Sequence, residues 1–203
     1  NIPQSELHAL YDFYNSTHGE NWHWRPSSSA IGVPWNFTGH PNPCKENWQG
    51  LGCKLVAPYN HISSITLDAY NLTGTIPSSI EDLPYLRIIE IAVSGLTGPI
   101  PHTIGNLTRL EILDISNGHL TGQLPDCIGN ITSLVQIGLQ INDLSGTIPA
   151  SLSQLQGLQV LNMAQNSLRG TIPPELGLLT NLPSFLFYAN RLTGTIPPEL
   201  GHI

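Results

Sequence analysis

The stretch Leu110-Glu-Ile-Leu-Asp-Ile-Ser-Asn-Gly-His-Leu-Thr-Gly-Gln-Leu-Pro125 decides the fold of this 203-residue chain. Its closing phrase, Leu-x-Gly-x-Ile/Leu-Pro, occurs six times, and each copy begins 24 residues after the one before it. The copies begin at Leu72, Leu96, Leu120, Leu144, Leu168 and Leu192. A fixed period in the range of roughly 20–50 residues is typical of solenoids, in which each unit packs only against its neighbours.

Apolar residues keep the same step on both sides of this phrase. Two columns precede it: Ile65, Ile89, Leu113, Ile137, Leu161, Phe185 and Leu67, Ile91, Ile115, Leu139, Met163, Phe187. Two columns follow it: Ile80, Ile104, Ile128, Leu152, Leu176, Leu200 and Leu83, Leu107, Ile131, Leu155, Leu179, Ile203. Each unit therefore predicts a short strand, a Gly/Pro turn and a return stretch. Stacking places equivalent strands in a parallel sheet, about 4.8 Å apart.

The pattern Leu110-x-x-Leu113-x-Ile115-x-x-Gly118-x-Leu120-x-Gly122-x-Leu124-Pro125 and its siblings resemble the plant-type leucine-rich repeat over residues 62–203. The resemblance implies an α/β solenoid of right hand, with a parallel concave β-sheet and a convex side of 3₁₀ or irregular turns. It also implies an asparagine ladder between neighbouring turns. The ladder positions hold Tyr70, Ser94, Gly118, Asn142, Asn166 and Asn190. An amide offers both donor and acceptor groups to the backbone, which Tyr or Gly cannot reproduce, so we expect the first half of the solenoid to be less regular than the second.

Residues 1–61 differ from the repeats because they contain all four tryptophans, and we expect an N-terminal helical cap there. Ser5 is the predicted N-cap of a short helix. The expected apolar face of that helix consists of Leu7, Leu10, Tyr11 and Tyr14. We expect the tryptophans to plug the open end of the first repeat. A carbohydrate-stacking platform is the less favoured interpretation, because the tryptophans lie away from the predicted strand face.

The run from Leu10 to Trp22, followed by Pro43-Cys44-x-x-x-Asn-Trp48-x-Gly-x-x-Cys53, resembles the cap of extracellular members of this family. The resemblance implies a disulfide between Cys44 and Cys53. A metal site is disfavoured because it requires more ligands than two cysteines at this spacing. We expect the remaining cysteine, Cys127, to be an inert buried thiol, with an exposed thiol in an intermolecular bond as the minority interpretation.

Asn-x-Ser/Thr sequons occur at Asn15, Asn36, Asn71, Asn106 and Asn130. Together with the expected disulfide they predict a secreted or cell-surface glycoprotein with N-linked glycans. The alternative is that Gly-Asn-x-Thr at Asn106 and Asn130 is merely repeat sequence. The sequons end at Asn130, so the sugar-free last three repeats are a natural place for protein contact.

Composition excludes several function classes. Charged residues make up 10% of the chain, and its 7 Lys and Arg against 14 Asp and Glu give a formal net charge of −7. Scattered basic residues argue against nucleic-acid binding. No apolar run approaches the roughly 20 residues of a membrane span, so we expect no direct membrane insertion by this segment. The histidines lack metal-ligand spacing on a common strand face, and we expect neither a metal nor a cofactor.

Side chains that point outward from the predicted strands line the concave face. The candidate ligand-binding residues are Glu90, Asp114, Gln136, Gln140, Ile141 and Tyr188. Their mixture of carboxylate, amide and apolar groups predicts a binding surface for a protein or peptide, without a small-molecule cavity.

Glu90 and Asp114 fall at equivalent places on adjacent strands, where their carboxylates are expected about 5 Å apart, near the spacing of a retaining glycosidase pair. An open sheet offers no pocket that excludes water or raises one pKa, so we expect no enzyme. A weak cation site that includes Asp68 is favoured over catalysis, and a solvated acidic patch is favoured over both.

The last inward position, Ile203, is also the last residue of the chain. No C-terminal cap of the kind usual in the resembled family follows it. We therefore expect a fragment of a longer ectodomain, a truncated chain, or an end that docks onto the cap of the next copy. The predicted function is a recognition module for a protein or peptide. The alternative is a structural glycoprotein that assembles head-to-tail into filaments of its own copies.

Overall fold

The computed structural model describes residues 1–28 and 31–202 and forms the solenoid that the 24-residue period predicts. Ile203, expected to close the last inward column, lies outside the described residues. We number the repeats 1 to 6 from their first residues, which are Ile62, Leu86, Leu110, Leu134, Leu158 and Leu182.

In the described chain, seven strands form the concave sheet. They are β1 (Leu51–Val56), β2 (Tyr59–Thr66), β4 (Ile88–Glu90), β6 (Ile112–Asp114), β8 (Gln136–Gly138), β9 (Val160–Asn162) and β11 (Phe185–Leu186). The first pair is an antiparallel hairpin, and every later pair is parallel. Ile65 pairs with Ile89, and the same 24-residue step continues to Phe185.

Short strands on one flank and 3₁₀ helices on the convex side complete each turn. The flank strands are β3 (Thr73–Gly74), β5 (Gly95–Gly98), β7 (His119–Leu120), β10 (Arg169–Gly170) and β12 (Arg191–Leu192). The convex 3₁₀ helices are Ser78–Asp82, His102–Asn106, Asp126–Asn130, Ala150–Gln154, Pro174–Leu178 and Pro198–His202. The expectation of a 3₁₀-rich convex side is therefore confirmed.

The core is a continuous stack of the apolar columns. Both strand columns are buried from repeat 1 to repeat 5, and in repeat 6 Phe187 is buried while Phe185 is half-buried. Each well-buried Leu or Ile contributes about 1.5–3 kcal/mol, and no single repeat could collect this without its neighbours.

The cap begins with helix α1 (Gln4–Ser16), where the predicted N-cap was wrong and the predicted apolar face was right in part. Leu10 is buried, and Leu7 and Tyr14 are partly buried against the core. The residue at the N-cap is Pro3, so Ser5 lies inside the first turn and makes no capping bond. The buried face consists of Glu6, Ala9, Leu10 and Phe13, whereas Tyr11 is 45% exposed. The helix is rotated relative to the predicted face because Phe13 packs into the aromatic cluster, 6.1 Å from Trp22 between ring centres.

That aromatic cluster fills the end of the solenoid. Trp22, Trp35 and Trp48 are buried, and Trp35 stacks on Trp48 with ring centres 5.8 Å apart. Buried rings offer no face for sugar stacking, so these three act as the plug. Beside them, a 3₁₀ turn (Gly19–Asn21) and helix α2 (Pro43–Glu46) complete the cap. The expected Cys44–Cys53 disulfide is present, with its Cα atoms 5.8 Å apart.

Cap and repeats share strand β2, within which the predicted boundary between residues 61 and 62 falls. The buried Glu6 carboxylate of α1 hydrogen-bonds the His61 ring through Nδ1 and accepts from the backbone N–H of Ile62 at 2.8 Å. Tyr70 is buried on the other side, where its ring lies edge-on to Trp24 at 5.9 Å and under the Arg25 guanidinium at 5.0 Å. The tyrosine at the first ladder position thus joins repeat 1 to the cap.

The expectation of a less regular first half is wrong for the strands. Their register steps by 24 residues from β2 to β11 without a shift. The physical reason is that main-chain bonds do not require the ladder amide. Ser94, Gly118 and Asn142 donate equivalent backbone bonds to the next turn, at 3.1, 3.0 and 3.2 Å.

Candidate functional site

The six candidate residues all lie on or beside the concave face. Glu90 and Asp114 end strands β4 and β6, and Gln136 begins β8. All three are half-buried, as is Gln140, just beyond β8. Ile141 and Tyr188 are 43% and 60% exposed. The structure therefore brings these residues onto one surface, but it distributes them over repeats 2, 3, 4 and 6.

Three carboxylates, Asp68, Glu90 and Asp114, form what we call the acidic stretch, one in each of repeats 1 to 3. Glu90 pairs directly with Asp114 across β4 and β6. The pKa of the Glu90 carboxyl is raised above its ordinary value, first by burial and then by the negative charges of Asp68 and Asp114. Asp68 is held by the backbone, because its Oδ1 accepts from the N–H of Ala92 at 2.6 Å.

Asp114 has an unsatisfied oxygen. Its Oδ2 accepts a long bond of 3.4 Å from the Gln136 side chain, whereas its Oδ1 is buried without a hydrogen-bond partner in the described residues. The carboxylate leans over the next strand at Gly138, where an added Cβ would meet Oδ2 at 2.6 Å. The Gln140 Oε1 atom is likewise buried and unpartnered within the described chain. The face therefore presents acceptors that lack donors.

The sequence alone does not indicate the role of Gly138, because the outward column also holds larger residues at the equivalent positions. The only available signal was that glycine in a strand often marks a close approach of another group.

Large apolar side chains are exposed on the other half of the face. We call Ile141, Val160, Leu186 and Tyr188 the apolar stretch, which runs through repeats 4 to 6. Val160 and Leu186 are 42% and 40% exposed, similar to Ile141. Exposed apolar side chains on one face are candidates for contact with a binding partner.

Two β-branched residues beside the strands have an uncommon backbone conformation. Val93 and Ile141 have φ of +54° and +57°, in the left-handed region that Asn117 occupies at the equivalent place in repeat 3. A β-branched residue is strained there. Val93 is also 58% exposed, so burial does not offset the strain. Sequence reasoning missed this conformation, although Asn117 and Gln165 in the same column were a weak signal.

The acidic stretch does not group its carboxylates as a three-ligand metal site would in the described part of the chain. Within residues 1–28 and 31–202, no three His, Cys, Asp or Glu side chains are grouped so that they could hold a metal ion. The raised pKa of Glu90 has an ordinary cause in burial and neighbouring charge, on an open sheet. The interpretation as a weak cation site stays a prediction, less favoured than a solvated acidic patch.

All sequon asparagines are exposed. At Asn36 the side-chain oxygen accepts from both the N–H and the hydroxyl of Thr38, at 3.0 and 2.8 Å. Cys127 is half-buried rather than fully buried, and its Sγ donates to the His102 carbonyl at 2.9 Å. Among the helices of the described residues, none has the length and hydropathy needed to cross a membrane.

Comparisons with known proteins place these features in context. The leucine-rich repeat family model matches residues 109–131 and 157–179. Over 69 residues the chain is 39% identical to a probably inactive leucine-rich repeat receptor-like protein kinase of Arabidopsis thaliana. That match covers 34% of this chain, which spans 7% of the length of that curated relative.

Solved structures match over more of the chain. A chain of the BIR3–SERK2 complex from Arabidopsis thaliana is 31% identical, with a TM-score of 0.72, and the match covers 93% of this chain and 95% of that one. The plant peptide hormone receptor RGFR1, in complex with RGF2, is 34% identical with a TM-score of 0.59. This match covers 68% of this chain and 26% of the receptor.

Proposed function

Because the chain belongs to the plant-type extracellular leucine-rich repeat family, we propose that it is a non-catalytic recognition module that binds a protein or peptide on its concave face. The observation that carries this proposal is the combination of unpartnered acceptors and exposed apolar side chains on one surface. The similar chains support it, since one comes from a protein complex and another from a peptide hormone receptor.

The binding residues we propose are Glu90, Asp114, Gln136, Gln140, Ile141 and Tyr188. Of these, Ile141 and Tyr188 are the anchors, because aromatic and apolar side chains that become buried contribute most of the binding energy of an interface. The polar residues fix the orientation of the ligand.

A phage-displayed library of random peptides, selected on the purified protein, tests this proposal. One selected peptide is then measured against Ile141→Ala/Tyr188→Ala and against Leu178→Ala. Leu178 is the matched control, since it is 61% exposed but lies on a convex 3₁₀ helix. We expect the concave variant to weaken binding by at least about tenfold and the control to leave it unchanged. Equal affinities would locate the site elsewhere.

We also propose that the protein is a secreted or cell-surface glycoprotein that carries N-linked glycans on Asn15, Asn36, Asn71, Asn106 and Asn130. The exposure of these asparagines and the cap disulfide support the secretory route. Glycopeptide mapping after secretion from a eukaryotic host tests it, and a complete absence of glycan from the secreted chain would contradict it. Head-to-tail assembly stays a prediction, which electron microscopy across protein concentrations would test.

A further inference from the structure

Building on the proposed recognition function, we propose that the concave face selects an extended peptide of amphiphilic character. One end of the peptide carries a basic side chain, which binds the acidic stretch, and the other end carries an aromatic or aliphatic side chain, which packs on the apolar stretch. The acidic and apolar groups are concentrated in different halves of the face. Asp68, Glu90 and Asp114 belong to repeats 1 to 3, whereas the four residues of the apolar stretch belong to repeats 4 to 6. Val93 in repeat 2 is an exposed apolar side chain on the acidic half.

The charges of the acidic stretch also favour a basic ligand group. No Lys or Arg side chain forms an ion pair with the acidic stretch in the described part of the chain. Arg87 is engaged by Glu111 through bonds of 2.8 and 2.7 Å. Arg25 stacks on Tyr70 and donates to the backbone oxygen of Asp68, at 3.2 Å, rather than to its carboxylate. Within residues 1–28 and 31–202 the three carboxylates therefore lack an ion-pair partner.

The groups that the face lacks are hydrogen-bond donors. The Asp114 Oδ1 and Gln140 Oε1 atoms are acceptors without donors, and they lie on either side of the junction between the two stretches. A guanidinium offers several N–H donors in a planar fork and no acceptor. An arginine side chain of the ligand satisfies both the charge and the hydrogen bonds, whereas an acidic or neutral side chain leaves them unmatched.

The spacing of the ligand residues follows from the sheet. From Asp114 in repeat 3 to Tyr188 in repeat 6 there are three strand intervals, and from Glu90 there are four. At about 4.8 Å for each interval these distances are roughly 14 and 19 Å, which an extended peptide spans in about four to six residues. The basic and apolar positions of the ligand are therefore separated by this number of residues.

Synthetic peptide pools test the proposal. Three pools carry tyrosine at one position and, five residues away, arginine, its neutral isostere citrulline or glutamate, and each is made in both chain directions. We expect the arginine pool to bind at least about tenfold more tightly than the citrulline pool, since a desolvated charge pair is worth more than about 1.4 kcal/mol. The glutamate pool should bind most weakly.

Two variants locate the preference. Glu90→Gln/Asp114→Asn should abolish the difference in affinity between the arginine and citrulline pools. A cooperative urea unfolding transition, as in the wild type, shows that the variant is folded. Glu111→Gln is the matched control, because its carboxylate already pairs with Arg87, and it should leave the difference intact.

The outcomes separate this inference from the function on which it rests. Equal binding of the arginine and citrulline pools, with loss of both in Ile141→Ala/Tyr188→Ala, overturns the charge preference and leaves the recognition function standing. Tighter binding of the glutamate pool also overturns it. Failure of all pools to bind, together with failure of the random library, overturns both.

Discussion

Repeats 1 to 3 and repeats 4 to 6 have the same strand register but satisfy their turns differently. In the second half an asparagine amide joins each turn to the one before it. Asn166, for example, accepts from the N–H of Leu144 at 3.0 Å and donates to the carbonyls of Leu139 and Met163 at 2.9 and 3.2 Å. Asn142 and Asn190 make the corresponding bonds.

The first half lacks these amides and relies on main-chain pairing alone, which β10 and β12 also provide in the second half. Strands β3, β5 and β7 form a parallel sheet on the flank, and the Ser94 hydroxyl at the ladder position is buried without a partner among the described residues. Tyr70, at the first ladder position, packs on the cap. The comparison teaches that the apolar period sets the register, while the ladder position is free to serve another purpose wherever the backbone pairs by itself.

The largest effect expected from this comparison is a loss of stability in the variant Asn166→Ala. The substitution leaves the buried N–H of Leu144 without its partner, and an unsatisfied group of this kind costs about 1–3 kcal/mol. It also removes the amide bonds to the carbonyls of Leu139 and Met163, each of which keeps one bond from a neighbouring ladder asparagine. We expect a loss of about 3–4 kcal/mol in the free energy of unfolding, measured by urea denaturation. Ser94→Ala is the matched control at the same position in repeat 2, and it should change stability by less than about 0.5 kcal/mol. Similar losses in both variants would contradict the division between the halves.

A smaller loss in the free energy of unfolding is expected when asparagine, the usual ladder residue, replaces Tyr70. Tyr70→Asn removes a buried ring that contacts Trp24 and Arg25, which for a large-to-small change costs about 3–5 kcal/mol. An amide at this position regains some ladder bonds, so we expect a net loss of about 2–3 kcal/mol. The near-ultraviolet circular dichroism of the tryptophans should also change, because Trp24 loses its neighbour. An unchanged or raised stability would show that Tyr70 does not hold the cap.

The sequence predicts the parts of the molecule that repeat. The coincident apolar columns of the six repeats are sufficient to predict the sheet register, the buried core and the exposed positions. One repeat buries its apolar residues only when its neighbours align with it. The sequence predicts single features less well. The start of α1 at Pro3 depends on how Phe13 meets the aromatic cluster, and the tilt of the Asp114 carboxylate over Gly138 depends on a contact between two strands. Neither feature recurs with the 24-residue period, so the repeat pattern does not predict it.

The two strained residues offer a way to sharpen the comparison, since one lies in each half. Val93→Asn and Ile141→Asn place at φ of +54° and +57° a residue that tolerates the left-handed region, as Asn117 does between them. Because the side chains are largely exposed, little burial is lost, and we expect each variant to gain about 1 kcal/mol in stability. Ile141→Asn should at the same time weaken peptide binding. Thermal unfolding measures the first effect, and a loss of stability in either variant would show that the side chain is packed rather than strained.

The smallest effect concerns the acidic stretch and depends on pH. The pKa of Glu90 is raised above the ordinary 4.5 by burial and by Asp68 and Asp114, so the folded state binds a proton more readily than the unfolded state. The contribution of Glu90 to the free energy of unfolding is therefore most favourable below pH 4.5, and it is lost as the pH rises through the raised pKa. Glu90→Gln removes the charge, so we expect it to be slightly more stable than the wild type at pH 7, with the difference kept small by solvent screening on the open face. The two stabilities should converge as the pH falls below 4.5. Urea denaturation across this pH range measures the difference.

Glu111→Gln is the control: it loses the bidentate Arg87 pair and should not gain stability at neutral pH. A wild type more stable than Glu90→Gln at pH 7 would mean that the carboxylate has a countercharge within the protein, and the need for a basic ligand group would disappear with it.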